Sequence, residues 1–102
     1  MHVIEFVKDE VLREHDRAAK KFGMTNNSHH ESYAVILEEY EESQEATVLF
    51  LMQMKNYWKA VRNNNPEEAT VLLDAMQAHA EQAAAEFIQV AAMCHKAKVQ
   101  KK

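Results

Sequence analysis

The sequence has almost none of the residues that let a chain turn. It contains one glycine and one proline among 102 residues, whereas these two types make up about 12% of an average protein. Because sheets need frequent turns, and turns mostly use glycine, proline, asparagine or aspartate, this scarcity argues against β-sandwiches, barrels and α/β folds. No apolar run approaches the ~20 residues of a membrane span, and no N-terminal segment resembles a signal peptide. We therefore expect a soluble protein with no membrane partner.

The residues that are abundant favour helices. Alanine, glutamate, glutamine, lysine, methionine and leucine dominate, and all are strong helix formers. The net charge of -4 argues against a nucleic-acid partner, which would require a basic face. The lone Cys94 cannot form an internal disulfide, fits a reducing compartment, and lies in an apolar segment that suggests a core position. These features together predict a cytoplasmic, all-α protein.

Two short segments are the only clear breaks between helices. Gly23 can end a helix in the left-handed conformation, and Ser28 with Glu31 has the S-x-x-E spacing of a capping box. In the second break, Asn65 can cap a helix whose first position is Pro66. The breaks predict three helices in a single domain, at about 3–22, 29–62 and 66–97, followed by a tail at 98–102 that frays. Short connections of this kind favour an antiparallel helical bundle.

The third helix indicates that the bundle is completed by a second chain. In the segment 83–94, ten of the twelve residues are apolar, and they lie on all sides of the helix. A helix that is apolar all round must be buried all round, and two further helices offer little material to cover it. We therefore expect a homodimer or homotetramer.

Glu86 and Gln89 interrupt this apolar segment and, being three residues apart, share one helix face. A carboxylate in a buried helix is costly unless it is paired or bound to a cation. Counting outward from a turn near residue 64 or 65, antiparallel pairing of helices two and three places Glu39 and Glu42 beside Glu86 and Gln89. The same counting places Asp74 opposite Lys55, which predicts an ordinary salt bridge.

Several converging carboxylates would repel one another unless a cation lay between them. Glu38, Glu39 and Glu42 are spaced to share a face, and oxygen ligands of this kind suit Mg²⁺ or Mn²⁺. A glutamate-rich run is also typical of a solvated helix face. In addition, Glu86 could pair with a lysine or arginine of helix one or of a partner chain. The residues alone leave these alternatives open.

At these positions the sequence resembles the MazG-like, all-α NTP pyrophosphatase superfamily. Glu38-Glu39-x-x-Glu42 matches its first signature, E-E-x-x-E, on one helix. Its second signature, E-x-x-D on a later helix, corresponds here to Glu86-Phe87-Ile88-Gln89. The flanking segment AEFIQVAAMCHKA is similar to small MazG-like proteins of bacteria and their phages. The resemblance covers roughly residues 29–97.

This resemblance implies a function and a role for each matching residue. The family hydrolyses nucleoside triphosphates to a monophosphate and pyrophosphate, with Mg²⁺ held by carboxylates. By this match Glu39 and Glu42 are metal ligands, Glu86 completes the cluster, and Glu38 binds a further metal or orients the attacking water. Gln89 stands where the family has aspartate; its carbonyl can bind Mg²⁺ but brings no charge.

Two further expectations follow at the site. Because Gln89 removes one carboxylate, the alternative is a catalytically degenerate helical oligomer that binds a nucleotide or a protein. Lys20 and Lys21, at the end of helix one, could meet the phosphates of the substrate, although the helix dipole explains their position as well.

Overall fold

The chain folds into three α-helices. The structure is a computed structural model that describes residues 2–99. Its helices are α1 (Val3–Phe22), α2 (His29–Arg62) and α3 (Pro66–Ala97), so the all-α fold class is confirmed and the helix bounds agree with those expected. Residues 100–102 of the tail expected to fray lie outside the described part, while residues 98 and 99 form a turn and a bend.

The backbone conformation of Gly23, which ends α1, differs from the left-handed helical conformation expected for a cap. Its φ is 91°, positive as expected, but its ψ of 165° lies outside the left-handed helical region. This combination is almost restricted to glycine. The Gly23 N–H still donates to the Ala19 carbonyl over 2.9 Å, so the last helical hydrogen bond is retained while the chain turns away.

The loop before α2 is held by side-chain hydrogen bonds. The Ser28 hydroxyl accepts from the Glu31 N–H over 3.2 Å, as the capping box predicts. The Glu31 carboxylate, however, accepts from the Asn27 N–H (3.2 Å), one residue before the position that a capping box uses. The buried Asn26 amide donates to the buried Ser32 hydroxyl over 2.8 Å. The loop is therefore tied to the first turn of α2.

The turn between α2 and α3 is closed by Asn65. Its side-chain oxygen accepts from the Glu68 N–H (3.2 Å), and its amide nitrogen donates to the Glu68 carboxylate (3.3 Å). Asn64 takes a φ of 52°, in the left-handed region that asparagine tolerates. Pro66 occupies the first helical position, where its missing N–H costs nothing. The cap predicted at this break is confirmed.

The internal contacts divide the chain into two compact parts. One consists of Met1–Glu41 with Glu86–Lys102, and the other of Glu42–Ala85. Helices α2 and α3 continue without interruption through these bounds, so α2 is one unbroken helix of 34 residues. The expectation of a single domain stays a prediction.

Each part is packed around small side chains. In the first, Ala92 is fully buried, the rings of His15 and His95 meet edge to face at 4.7 Å, and those of Tyr40 and Phe87 do so at 6.4 Å. In the second, the buried side chains are those of three small residues, Ser43, Ala46 and Ala60. Small residues allow helix backbones to approach closely, but they bury little apolar area.

Many large apolar side chains remain exposed on the single chain. Tyr33, Leu51, Trp58, Val71 and Phe87 are among them. Cys94 is exposed as well, so the expectation that it lies in the core is wrong. It sits on a face of α3 that this chain alone does not cover. Within residues 2–99, no helix is both long and apolar enough to cross a membrane.

The Asn65 cap gives a first testable prediction. Asn65→Ala removes the acceptor for the Glu68 N–H, and we expect the free energy of unfolding to fall by about 1 kcal/mol. Urea denaturation at fixed protein concentration measures the change. Asn63→Ala is the matched control, because Asn63 lies in the same exposed turn and contributes only a backbone hydrogen bond. Equal stability of the two variants would show that the side-chain cap contributes nothing.

Candidate metal and nucleotide site

The predicted pairing of α2 with α3 is confirmed by side-chain contacts in the first compact part. Tyr40 of α2 meets Phe87 of α3, and Gln89 of α3 reaches Glu39 of α2. These contacts lie within one helical turn of the positions obtained by counting outward from the Asn65 turn. The ion pair expected for Asp74 is not formed with its facing residue Lys55, and the structure describes both residues.

Three carboxylates form the centre of the candidate site. Glu39, Glu42 and Glu86 each offer one oxygen, and these oxygens all lie within 4.8 Å of one another. Glu39 and Glu86 are half-buried, whereas Glu42 is exposed. Like charges at this separation repel, so the arrangement needs positive charge or hydrogen-bond donors nearby. Three oxygen ligands that converge in this way could hold a divalent cation.

Gln89 supplies hydrogen-bond donors at this site. The orientation of its amide follows from its neighbours, since only the nitrogen can satisfy two carboxylate oxygens. In that orientation the nitrogen donates to Glu39 Oε2 over 2.9 Å and to Glu86 Oε2 over 3.3 Å. One neutral amide therefore bridges two carboxylates. An aspartate at this position would offer acceptors only, and would add a charge.

A cavity of about 660 Å³ opens beside Glu39 and Gln89. The described residues that line it belong to the first compact part, and they come from all three helices and the loop before α2. Among them are four carboxylates, two amides and one ammonium group, from Glu14, Glu31, Glu38, Glu39, Asn26, Gln89 and Lys96. The apolar ones are Ala18, Phe22, Val35 and Met93. The cavity thus combines acidic groups with an apolar wall, next to the carboxylate cluster.

The other predicted site residues lie at different distances from this centre. Glu38 lines the cavity but is not one of the three clustered carboxylates. Lys20 and Lys21 are exposed near the end of α1, and Lys21 Nζ lies 5.1 Å from the centre of the Phe22 ring. Neither lysine is among the described residues that line the cavity. Their role in substrate binding stays a prediction.

Sequence reasoning missed four polar residues of the cavity: Glu14, Glu31, Asn26 and Lys96. Lys96 follows Gln89 by seven residues, a spacing that returns to the same helix face. This signal was present in the sequence, but lysines at a helix end are readily explained by the dipole. Asn26 carries no comparable signal, because a loop residue has no fixed periodicity.

Comparisons with known proteins find no match for this chain among protein-family models, curated proteins or solved structures.

The Gln89 bridge gives a second prediction. Gln89→Asp replaces a donor to two carboxylates by a third negative charge, so we expect the melting temperature at neutral pH, with chelator present, to fall by several degrees. Added Mg²⁺ should then raise the melting temperature of this variant more than that of the natural protein. Differential scanning fluorimetry, with and without Mg²⁺, measures both effects.

Gln77→Asp is the matched control for this variant. It makes the same exchange at an exposed position of the same helix, where the amide donates to one exposed carboxylate, that of Glu81, over 3.2 Å. The two variants therefore change helix propensity and net charge equally and differ in whether the residue lies at the carboxylate cluster. If Mg²⁺ shifts both variants alike, Gln89 has no special relation to the carboxylates.

Proposed function

We propose that this protein is a Mg²⁺-dependent nucleoside triphosphate pyrophosphohydrolase of the MazG-like type. The observation that carries the proposal is the convergence of Glu39, Glu42 and Glu86 to within 4.8 Å. They belong to the E-E-x-x-E run and to the later helix that this resemblance assigns to the metal. Mn²⁺ would serve as well, because it accepts the same oxygen ligands. A cytoplasmic location suits both the substrate and a free Cys94.

Each residue of the site has a part in this proposal. Glu39, Glu42 and Glu86 would hold the cation, which would supply charge to offset the phosphates and acidify water. Gln89 can turn its amide so that the carbonyl oxygen faces the cation, giving up its two donor bonds. Glu38, on the same helix and in the wall of the cavity, would orient the attacking water towards the α-phosphorus and accept its proton. The bond between the α-phosphorus and the bridging oxygen would break, so that a nucleoside monophosphate forms and pyrophosphate leaves.

A specific observation favours a second candidate function. The Gln89 amide already donates to Glu39 and Glu86, so part of what a cation does at this site is done by a neutral side chain. The second candidate is a helical oligomer with a degenerate site, which binds a nucleotide or a protein without hydrolysis. Such a protein would not need a cation at the carboxylates. The two candidates differ in whether the carboxylates hold the cation firmly enough for catalysis.

The exposed area supports an oligomeric form in either case. The chain exposes 7671 Å², whereas a folded monomer of 11.8 kDa exposes about 5900 Å². The excess is larger than the roughly 800 Å² that each partner buries in a standard interface. In addition, the apolar side chains that are buried within residues 2–99 are three alanines. We propose a homodimer or homotetramer in which a second copy covers the exposed apolar residues.

The catalytic proposal is tested by release of pyrophosphate. We expect the natural protein to release pyrophosphate from at least one member of a panel of NTPs and dNTPs with Mg²⁺ or Mn²⁺. Glu86→Gln and Glu39→Gln should lower the rate by a hundredfold or more, because each removes a charged ligand of the cation. Glu41→Gln is the control, since Glu41 lies in the same run but outside the cluster.

The results of this assay separate the two candidate functions. Absence of release from every nucleotide at high protein concentration would rule out the enzyme. If Gln89→Asp then gains hydrolysis, the natural site is a degenerate form of the enzyme. If the variant stays inactive while the natural protein binds a nucleotide, the protein is a binding module.

The oligomer proposal predicts the mass in solution. We expect light scattering coupled to gel filtration to give two or four times 11.8 kDa. Trp58→Lys, in the exposed apolar part of α2, should weaken association because it places a charge where a partner is expected. A natural protein that stays monomeric at high micromolar concentration would contradict the proposal.

A further inference from the structure

Lys96 is a buried cation without a partner in the described part of the chain. Lys96 is only 7% exposed to solvent, and it lines the cavity beside Glu39 and Gln89. Within residues 2–99 its ammonium group takes part in no ion pair, hydrogen bond or ring contact. A buried charge normally requires such a partner, because burial removes the water that stabilises it. No described side chain pairs directly with the ammonium group of Lys96.

The position of Lys96 relates it to the carboxylate cluster. Glu86, Gln89, Met93 and Lys96 follow one another at spacings of three and four residues, so they form one stripe along α3. From Gln89 to Lys96 the stripe advances about 10 Å along the helix axis. The lysine and the cluster are thus separate sites on one helix face, and the cavity wall includes both Gln89 and Lys96.

The charges of the cavity determine what this lysine can bind. Among the described residues, four carboxylates line the cavity together with Lys96, and one of them, Glu14, is paired with Arg17. Negative charge is therefore still in excess, and an anion that enters the cavity meets net repulsion. A divalent cation on the cluster would reverse this balance at one end. An anion that carries several charges could then contact the cation with one group and Lys96 with another, which is what a polyphosphate offers.

We propose that Lys96 is a substrate-binding residue whose ammonium group binds a phosphate of the ligand inside this cavity. A lysine ammonium has three donors and no acceptor, and phosphate oxygens are strong acceptors. The apolar side chains of Phe22, Val35 and Met93 complete the wall around the bound group. The inference deepens the proposed function, since it takes the ligand to be the same nucleoside triphosphate or its pyrophosphate product.

The opposing explanation is that Lys96 only balances the charge of the surrounding glutamates. In that case its removal would leave the carboxylates of the cavity with less counter-charge, and the ligand-free protein would lose stability. If instead Lys96 is kept for a ligand, removing its charge relieves a cost of the empty cavity, and the ligand-free protein stays as stable or gains stability. Stability without ligand therefore distinguishes the two roles.

The test compares Lys96→Met with Lys98→Met. Methionine keeps most of the length of lysine without its charge, and Lys98 is exposed two residues further along the chain. The probe is inorganic pyrophosphate with Mg²⁺, measured by titration calorimetry. We expect Lys96→Met to weaken pyrophosphate binding at least tenfold, Lys98→Met to leave it within twofold, and the ligand-free melting temperature of Lys96→Met to equal or exceed that of the natural protein.

Several results would overturn the inference. These are unchanged pyrophosphate binding by Lys96→Met, absence of pyrophosphate binding by the natural protein, and a lower melting temperature or failure to fold of Lys96→Met. Failure of the proposed function can be distinguished from failure of this inference, because hydrolysis and pyrophosphate binding are measured independently. A protein that binds pyrophosphate through Lys96 but hydrolyses no nucleotide supports the inference alone, and an active enzyme whose Lys96→Met variant keeps its KM supports the proposed function alone.

Discussion

The site depends on one electrostatic constraint, the closeness of carboxylates that would repel one another. Glu39 and Glu86 face each other because α2 and α3 pair in register. The Gln89 amide relieves the repulsion by donating to both. Without hydrogen-bond donors or a cation at this point, the repulsion between the carboxylates would favour separation of the two helices. The donors or cations that lie between these carboxylates therefore determine both the stability of this region and its chemistry.

Much of this arrangement could be predicted because the chain turns so rarely. With two breaks in 102 residues, the helix bounds follow from capping residues such as Ser28 and Asn65. A short turn also fixes which residues of α2 and α3 are neighbours, and this alone predicts that Glu39 lies near Gln89. The prediction succeeded because helical periodicity and a short connection leave little freedom in an antiparallel pair.

The rest could not be predicted because it depends on how a third element packs. The cavity requires Ala18 and Phe22 of α1 as well as Asn26 of the loop, and periodicity does not specify how α1 lies on the other helices. The Gly23 backbone illustrates the same limit: a glycine indicates a positive φ, but ψ follows from where the next helix has to begin. The prediction that Cys94 lies in the core was wrong for a related reason. An apolar segment indicates that a helix face must be covered, but it does not indicate which chain covers it.

The choice of glutamine at position 89 can be understood from the two roles that one amide can fill. Its nitrogen donates to carboxylates when no cation is present, and its oxygen can bind a cation after the amide turns. An aspartate can fill only the second role, so it would hold a cation more strongly and make the empty site less stable. Glutamine therefore lowers the difference in free energy between the empty and loaded states. In the proposed role, Lys96 in the same cavity would act in the opposite sense, because an anion would supply the partner that its charge lacks. The pair of residues would make cation binding and anion binding depend on each other: the cation overcomes the acidity of the cavity, and the anion supplies the partner that Lys96 lacks.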